Sequence, residues 1–219
     1  MTLTLVSRGS LFGVAPCNHI SMQYRTLNIT PVSGPGLYGS DALTEAKAHL
    51  RVTSSDENSL ISMYINASVE FIERYCGVTL AQTTWQLDLP HFPTADRFIE
   101  LPRGPVSSVG SMYYYDADNV STLWAASDYQ TSFSELPAKI YLEEGDTWED
   151  TYERPDAVRV QYTAGYTWAS IPDRWKLPIF YMVAHQYQFR QPVISGTIAT
   201  ELPFTLRSNL ASLRESWNA

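Results

Sequence analysis

A glycine pattern near the amino-terminal end has the spacing of a nucleotide-binding turn. Gly34-Pro-Gly36-Leu-Tyr-Gly39 matches G-x-G-x-x-G and precedes a predicted helix. That fingerprint needs a buried strand before it and alternating strands and helices after it, and this sequence provides neither. Pro35 also removes one backbone N–H donor. We therefore interpret the pattern as a flexible linker and predict no cofactor.

Acidic residues are concentrated at two places where a hard cation could bind. Asp116, Asp118 and Asn119 begin like a calcium loop, but the glycine and the distal glutamate that such a loop requires are missing. The run Glu143–Glu153 holds further carboxylates, which could also act in pairs. Charge runs in loops are mostly solvated surface. We predict a turn at the first place, an exposed loop at the second, and no metal site.

Residues for nucleophilic or acid–base catalysis are dispersed. The histidines are His19, His49, His91 and His185, and none has a second ligand at zinc spacing. The sequence lacks a GxSxG elbow, an HExxH motif and a phosphate loop. We predict no catalytic residue. A hydrolase whose site converges on His91, His185 or the Glu143–Glu153 carboxylates is kept as a third hypothesis.

Composition and charge limit the classes of function. Hydrophobic residues make up 44% of the chain and charged residues 17%, which favours a folded core. The net charge of −8 is uneven, because residues 83–170 carry fourteen acidic and five basic side chains. This acidic middle part disfavours tight binding of DNA, but it is compatible with a channel through which DNA slides. No apolar run is long enough for a membrane span, and residues 1–16 make a poor signal peptide, so we expect assembly in a cytoplasm.

The first part of the chain is predicted to be an arm followed by two helices. Residues 1–40 are rich in glycine and proline, which predicts an extended arm with little structure of its own. Residues 41–82 form the first half of a helical part. Asp41 or Thr44 is the expected N-cap of a helix that ends at Arg51.

The second predicted helix is amphipathic. It begins at Ser55 and ends before Gly77, a typical residue just past a helix end. Its apolar residues recur every three or four positions, from Leu60 to Tyr75. The thiol of Cys76 is expected to be reduced and buried.

The middle of the chain, residues 83–170, is predicted to be an inserted β-rich unit. Short β-branched and aromatic runs alternate there with proline, glycine and aspartate turns, which is typical of a small antiparallel sheet or barrel. The predicted strands are Thr83–Leu89, Phe98–Leu101, Val106–Tyr115, Ser121–Trp124, Lys139–Leu142 and Ala157–Thr163.

Residues 171–219 are predicted to be the second half of the helical part and a C-terminal segment. One helical face would hold Ile179, Met182, Val183, Gln186, Tyr187 and Arg190. Pro178 predicts that this helix begins near it or is kinked there, and Pro192 ends it. Residues 204–217 can form a short terminal helix. The predicted class is therefore α+β: a small helical bundle with an inserted antiparallel β unit, an N-terminal extended arm and a C-terminal helix.

Short segments across residues 41–216 resemble, in the same order, those of tailed-phage head–tail connector (neck adaptor) proteins. The segments are Ala42–Val52, Ile72–Gly77, Ile99–Pro102, Pro105–Val109, Val158–Tyr166, Ala184–Tyr187 and Glu201–Pro203. Each is short, and the evidence is their shared order along the chain. The arm before residue 41 is longer than is usual in that family, and Pro178 replaces a better helix former.

The resemblance implies a structural protein without catalytic activity. Such a protein forms a ring, typically of twelve copies, beneath the portal and above the next neck or tail-completion protein. DNA passes through the ring without specific binding, and no membrane is involved. The expected location is the neck of the virion, after assembly in the host cytoplasm.

Contacts with these partners are expected from the N-terminal arm and from the C-terminal part of the chain. The predicted partner-interface residues are Tyr187, Arg190, Leu202, Phe204, Leu206, Leu210, Leu213, Arg214 and Trp217. The alternative function is a carbohydrate- or metal-binding β module of a virion protein, because the inserted unit is rich in tryptophan and tyrosine and has acidic loops.

Overall fold

The computed structural model describes residues 28–31, 39–93, 97–190, 206 and 209–213. The helices in these residues are α1 (Gly39–Leu50), α2 (Asn58–Cys76) and α3 (Asp173–Gln188). The strands are β1 (Asn28–Pro31), β2 (Thr83–Leu89), β3 (Phe98–Leu101), β4 (Val106–Tyr115), β5 (Ser121–Trp124), β6 (Tyr129–Ser132), β7 (Ala138–Leu142) and β8 (Val158–Ala164). Residues 206 and 209–213 are also helical and are termed the C-terminal helical segment. The predicted α+β class is confirmed.

The strands form two antiparallel sheets. The larger sheet has the order β1-β2-β8-β4-β5, and the smaller has the order β3-β7-β6. The central strand β8 alternates strictly between buried and half-buried side chains, and Val158, Val160 and Tyr162 point inward. Across the ladder, Val160 lies opposite Leu87 of β2 and Met112 of β4. Buried side chains of both sheets form one apolar core.

The helices form a second core, separate from that of the sheets. Ile61, Ile65 and Ile72 of α2 are fully or almost fully buried, as the helical spacing predicts. They pack in the same core as Trp175 and Ile179 of α3. Helix α1 contributes small buried residues, and small side chains allow two helices to approach closely.

The β-strand predictions are largely confirmed. Four of the six predicted strands have the observed bounds; β7 begins one residue earlier than predicted, and β8 is shifted by one residue at both ends. The predicted turn after β4 is also confirmed: the Asp116 carboxylate accepts the backbone N–H groups of Asp118 and Val120 at 3.0 and 2.9 Å. Strand β6 was missed because it is short and largely polar, and none of its residues Tyr129–Ser132 is buried.

The predicted helix starts were wrong. Helix α1 begins at Gly39, so neither Asp41 nor Thr44 is its N-cap. The Thr44 hydroxyl instead donates to the Ser40 carbonyl at 2.8 Å, a bond that threonine makes inside helices. Helix α2 begins at Asn58 rather than Ser55. A local turn precedes it, in which the Ser54 hydroxyl oxygen accepts the N–H of Asp56 at 3.2 Å, as hydroxyls do in turns.

Two further expectations concern the arm and α3. Residues 28–31 of the predicted arm form an extended strand that pairs with β2 at the edge of the larger sheet. Helix α3 begins at Asp173, five residues before Pro178, and continues through that proline to Gln188. Burial of Trp175 and Ile179 on either side of the proline favours the helix despite the lost hydrogen bond. The end predicted at Pro192 lies outside the described residues.

Where the chain leaves the helical part at the end of α2, a half-buried carboxylate holds the next segment. Gly77 ends the helix in the left-handed conformation, with φ of 72°, and its N–H bonds the carbonyl of Glu73. The side chain of Glu73 then accepts the backbone N–H groups of Leu80 at 2.7 Å and Ala81 at 2.9 Å. Burial raises the pKa of Glu73, although these two hydrogen bonds act in the opposite direction. One carboxylate therefore fixes the direction in which the chain enters the β unit.

The chain returns to the helical part beside the same segment. The N–H of Tyr166 donates to the Leu80 carbonyl at 2.7 Å, and the N–H of Gln82 donates to the Tyr166 carbonyl at 3.2 Å. Gly165 has a φ of 95°, and a Cβ atom there would lie 2.6 Å from the carbonyl oxygen of Ala81. Only glycine fits this crossing of two backbones. The outgoing and returning segments thus form one junction between the two cores.

Substitution Gly165→Ala is expected to lower the free energy of unfolding by about 2–4 kcal/mol, because it combines a strained backbone with a backbone clash. Chemical denaturation measures the change. The control is Gly110→Ala in β4, whose Cβ would lie 3.5 Å from the nearest atom, an ordinary contact. A change of less than about 1 kcal/mol is expected for the control. Equal stabilities of the two variants would contradict the proposed role of the crossing.

Substitution Glu73→Ala is expected to cost about 2–4 kcal/mol, because it leaves two buried N–H groups unpaired. Glu73→Gln keeps an oxygen acceptor and is expected to cost less. The raised pKa means that the folded protein binds the proton more tightly than the unfolded chain. The stabilising effect of protonation is thus complete below the unfolded pKa of about 4.5 and is lost as pH rises through the folded pKa.

Denaturation of the native protein and of Glu73→Gln from about pH 4 to about pH 7.5 measures this pH dependence. The native protein is expected to lose stability relative to the variant as the pH rises. A constant difference between the two proteins would show that Glu73 has an ordinary pKa.

Candidate interaction surfaces

A hydrogen-bonded group joins the start of α2 to the end of α3. The Tyr187 hydroxyl donates to one carboxylate oxygen of Glu57, and the Arg190 guanidinium donates to the other at 2.6 Å. The guanidinium also lies 5.0 Å from the centre of the Tyr187 ring. The hydrogen bond from Tyr187 lowers the pKa of Glu57 most, and the hydrogen bond from Arg190 lowers it further. The Tyr187–Glu57 hydrogen bond also raises the pKa of Tyr187. Two predicted interface residues therefore form an intramolecular contact.

The C-terminal helical segment packs on the helical core. Leu206 and Leu210 are buried, and Leu213 is half-buried against the same core. The Cys76 thiol, buried as predicted, donates to the Leu210 carbonyl at 3.9 Å. These three leucines therefore have neighbours within the chain, and their contact with a partner stays a prediction. The other predicted interface residues, Leu202, Phe204, Arg214 and Trp217, lie outside the described residues.

Helix α2 carries a second apolar stripe that the solvent reaches. Met63, Ala67 and Phe71 follow each other at four-residue steps and are termed the α2 stripe. Met63 is 55% exposed and Phe71 is 36% exposed. Phe71 also stacks on Tyr75, with ring centres 6.0 Å apart. Phe71 falls within the apolar spacing from Leu60 to Tyr75 that predicted the helix, and this spacing alone does not distinguish two adjacent apolar stripes.

Helix α3 has an apolar stripe opposite its buried face. Leu177, Tyr181 and Ala184 follow each other at steps of four and three residues and are termed the α3 stripe. Leu177 is 44% exposed and Tyr181 is 38% exposed. The α3 stripe was not predicted from the sequence. Its signal was the spacing of Leu177, Tyr181 and Ala184, which places three apolar residues on one side of the helix. The two stripes are the apolar helix surfaces available for a partner in the described residues.

A cavity of about 510 Å³ lies in the β unit beside the acidic loop. Phe92 and Trp148 stack there, with ring centres 4.7 Å apart. His91, Glu149 and Asp150 also line the cavity, and all three side chains are exposed. In the described part of the chain, no three His, Cys, Asp or Glu side chains are grouped so that they could hold a metal ion.

The histidines that the structure describes occupy separate environments. His49 stacks on Phe180, His185 packs against Phe189, and Nδ1 of His91 lies 2.7 Å from a backbone carbonyl oxygen. Of the groups named in the hydrolase hypothesis, His91 lines the cavity together with part of the acidic run, whereas His185 lies on α3. His19 and the first two glycines of the glycine pattern lie outside the described residues.

The helices described are too short or too polar to span a bilayer. The architecture is that of an α+β protein in which an antiparallel unit interrupts a helical bundle. Residues 40–135 match the family model described as "Phage gp6-like head-tail connector protein". The predicted resemblance to head–tail connector proteins is therefore confirmed.

Solved structures share the fold over most of the chain. A chain in "Neck of empty GTA particle computed with C6 symmetry" is 22% identical with a TM-score of 0.66, and the match covers 87% of this chain and 94% of that one. Chains in "Virion of native gene transfer agent (GTA) particle" and in "Neck of native GTA particle computed with C12 symmetry" are also 22% identical. Their TM-scores are 0.63 and 0.62, with 86% and 87% of this chain and 94% of each of those chains covered. No curated protein matches the chain in sequence.

Substitution Tyr187→Phe is expected to raise the pKa of Glu57 towards the ordinary value for glutamate, because it removes the hydrogen bond that contributes most to the lowering. The measurement is an NMR titration of the Glu57 side-chain carboxyl carbon. Tyr181→Phe, at an exposed tyrosine of the same helix, is the matched control and is expected to leave this pKa unchanged.

The free energy of unfolding of the native protein is expected to depend on pH through the ionisation of Glu57. Because the pKa of Glu57 is lowered, its stabilising effect is present above the unfolded pKa of about 4.5 and is lost as pH falls through the folded pKa. Tyr187→Phe should weaken this loss. Identical titration curves for the native protein and Tyr187→Phe would refute the hydrogen bond as its cause.

Proposed function

We propose that this protein is a structural head–tail connector of a tailed bacteriophage or phage-like particle and acts without catalysis. The observation that carries the proposal is the connector-family match over residues 40–135, together with a fold shared over 87% of the chain with a particle-neck component. The proposed location is the neck of the virion, after assembly in the host cytoplasm.

The proposed assembly is a ring of identical subunits beneath the portal, typically of twelve copies. Two similar chains come from neck assemblies with sixfold and twelvefold symmetry, which supports rotational symmetry here. Exposed apolar stripes on α2 and α3 support an assembly, since they leave apolar surface open to solvent in the part of the chain that the structure describes.

The ring would connect the capsid to the tail and let DNA pass through its centre. The acidic β unit, with fourteen acidic and five basic residues, favours passage over binding, because carboxylates repel the phosphate backbone. The proposed partners are the portal protein on one side and the next neck or tail-completion protein on the other. The C-terminal part of the chain, including Tyr187, Arg190 and residues 202–217, is the proposed contact region.

The alternative function is a carbohydrate- or metal-binding β module of a virion protein. The cavity beside Trp148 favours it, because sugars stack on aromatic rings and carboxylates accept their hydroxyl groups. Calorimetric titration with calcium and with a panel of glycans tests this alternative. Saturable heat that disappears in Trp148→Ala would support it, and the absence of heat with every ligand would exclude these ligand classes.

The connector proposal is tested by electron microscopy of the purified protein mixed with purified portal complexes. The expected result is a closed ring on one end of the portal, with a central opening wide enough for duplex DNA. The same protein without portal is the control, because connector subunits can depend on the portal for assembly. Absence of a ring and of portal binding in the mixture would refute the proposal.

A further inference from the structure

The two apolar stripes lie on different helices, so one subunit carries two different exposed apolar surfaces. The α2 stripe is turned away from the buried face that contains Ile61 and Ile65, since an α-helix advances by 100° per residue. The α3 stripe lies opposite the buried face that contains Trp175 and Ile179. Neither stripe is covered by the helical core of its own chain.

Two different surfaces on one subunit suit a head-to-tail contact between copies. In such a contact, one surface of each copy meets the other surface of the next copy, and a rotation closes the series into a ring. A contact between identical surfaces would instead give a closed dimer. The ring of the proposed function therefore needs two unlike surfaces, and the helices supply two.

Helix direction fits this arrangement. Within one chain α2 and α3 are antiparallel, because Arg190 at the end of α3 bonds Glu57 before the start of α2, and these two helices are neighbours in one core. Rotation about a ring axis preserves the direction of any helix that runs along that axis. Helix α2 of one copy would then be antiparallel to α3 of the next.

Charges beside the stripes match in that orientation. Glu70 and Arg74 lie near the C-terminal end of α2, and their side chains are 71% and 77% exposed. Asp173 and Arg174 are exposed at the N-terminal end of α3. Antiparallel helices bring these two ends together, so Glu70 can meet Arg174 while Arg74 meets Asp173.

We propose that the α2 stripe of one copy packs against the α3 stripe of the next copy and that this contact closes the ring. The inference rests on the ring of the proposed function and identifies the subunit surfaces that form it. Each stripe is thus covered by a second copy of this chain. Met63 and Phe71 would pack around Leu177 and Tyr181, with the charged pairs at the edge of the contact.

Two single substitutions block one stripe each. Ala67→Glu places a charge in the α2 stripe, and Tyr181→Glu places one in the α3 stripe. Both positions are exposed, so folding is expected to be retained, and circular dichroism with thermal unfolding checks it. The matched control is Asn66→Glu, which places the same charge at the neighbouring exposed position of α2, outside the stripe.

The assembly state of each protein is measured by mass photometry, alone and on purified portal. Each stripe variant is expected to need at least about tenfold more protein than the native chain to form oligomers, because a buried unpaired charge opposes the contact. Asn66→Glu is expected to assemble like the native chain.

An equimolar mixture of the two stripe variants gives the sharper result. The free α3 stripe of Ala67→Glu can bind the free α2 stripe of Tyr181→Glu, while the other two stripes stay blocked. The mixture is therefore expected to form heterodimers that do not grow further. At concentrations at which the native chain assembles, each variant alone is expected to remain monomeric.

Three outcomes would overturn the inference while the connector function stands. If the stripe variants form rings as readily as the native chain, another surface holds the ring and the connector function stands. If they assemble normally but lose portal binding, the portal covers the stripes. If the native chain assembles and the mixture of the two variants stays monomeric under the same conditions, the two stripes do not bind each other. A native chain that forms no ring even on the portal would instead be the failure of the proposed function, and the inference would fall with it.

Discussion

The structure depends on one crossing of two backbone segments between its helical core and its sheet core. The segment after α2 and the segment before α3 run side by side, and residue 81 forms a parallel bridge with residue 166. Glu73 fixes the outgoing segment, and Gly165 allows the returning one to lie against it. Near the crossing, the Thr79 N–H also donates to the Gly104 carbonyl, which ties the outgoing segment to the β unit. The crossing therefore determines how the β unit is held on the helices.

The two cores have different tasks in the proposed assembly. The sheet core is closed around a set of inward-facing aliphatic and aromatic side chains. The helical core has uncovered apolar stripes next to its buried faces, so it is the part suited to contact with other copies. An acidic insertion carried on such helices adds charge to the particle without being needed for the contact.

Most of the fold could be predicted from the sequence because its signals are local. The strand Thr83–Leu89 contains β-branched and aromatic residues and is followed by a proline. Gly77 is a strong signal for the end of α2. Other features depend on contacts distant in sequence. Strand β1 forms only because β2 offers it an open edge, and α3 continues through Pro178 because the core holds both of its sides. No local pattern contains that information.

The candidate surfaces were harder to predict for a related reason. Phe71 and Ile72 are adjacent apolar residues of one helix, yet Ile72 is buried and Phe71 faces solvent. Which of two stripes is covered depends on where α1 and α3 pack, and hydrophobic spacing does not give that. Leu206 and Leu210 show the opposite case. They were assigned to a partner interface, and they are buried against the helical core of their own chain.

The position of the β unit between α2 and α3 has a consequence for synthesis. A ribosome releases α1 and α2 first, and the residues of α3 follow only after the whole β unit has been translated. The apolar face of α2 thus stays without its main partner during that interval, which exposes it to aggregation or to a chaperone. The helical core closes late because its halves are far apart in sequence, and such nonlocal contacts form slowly. Production of the subunit is therefore expected to be limited by this late closure rather than by the sheets.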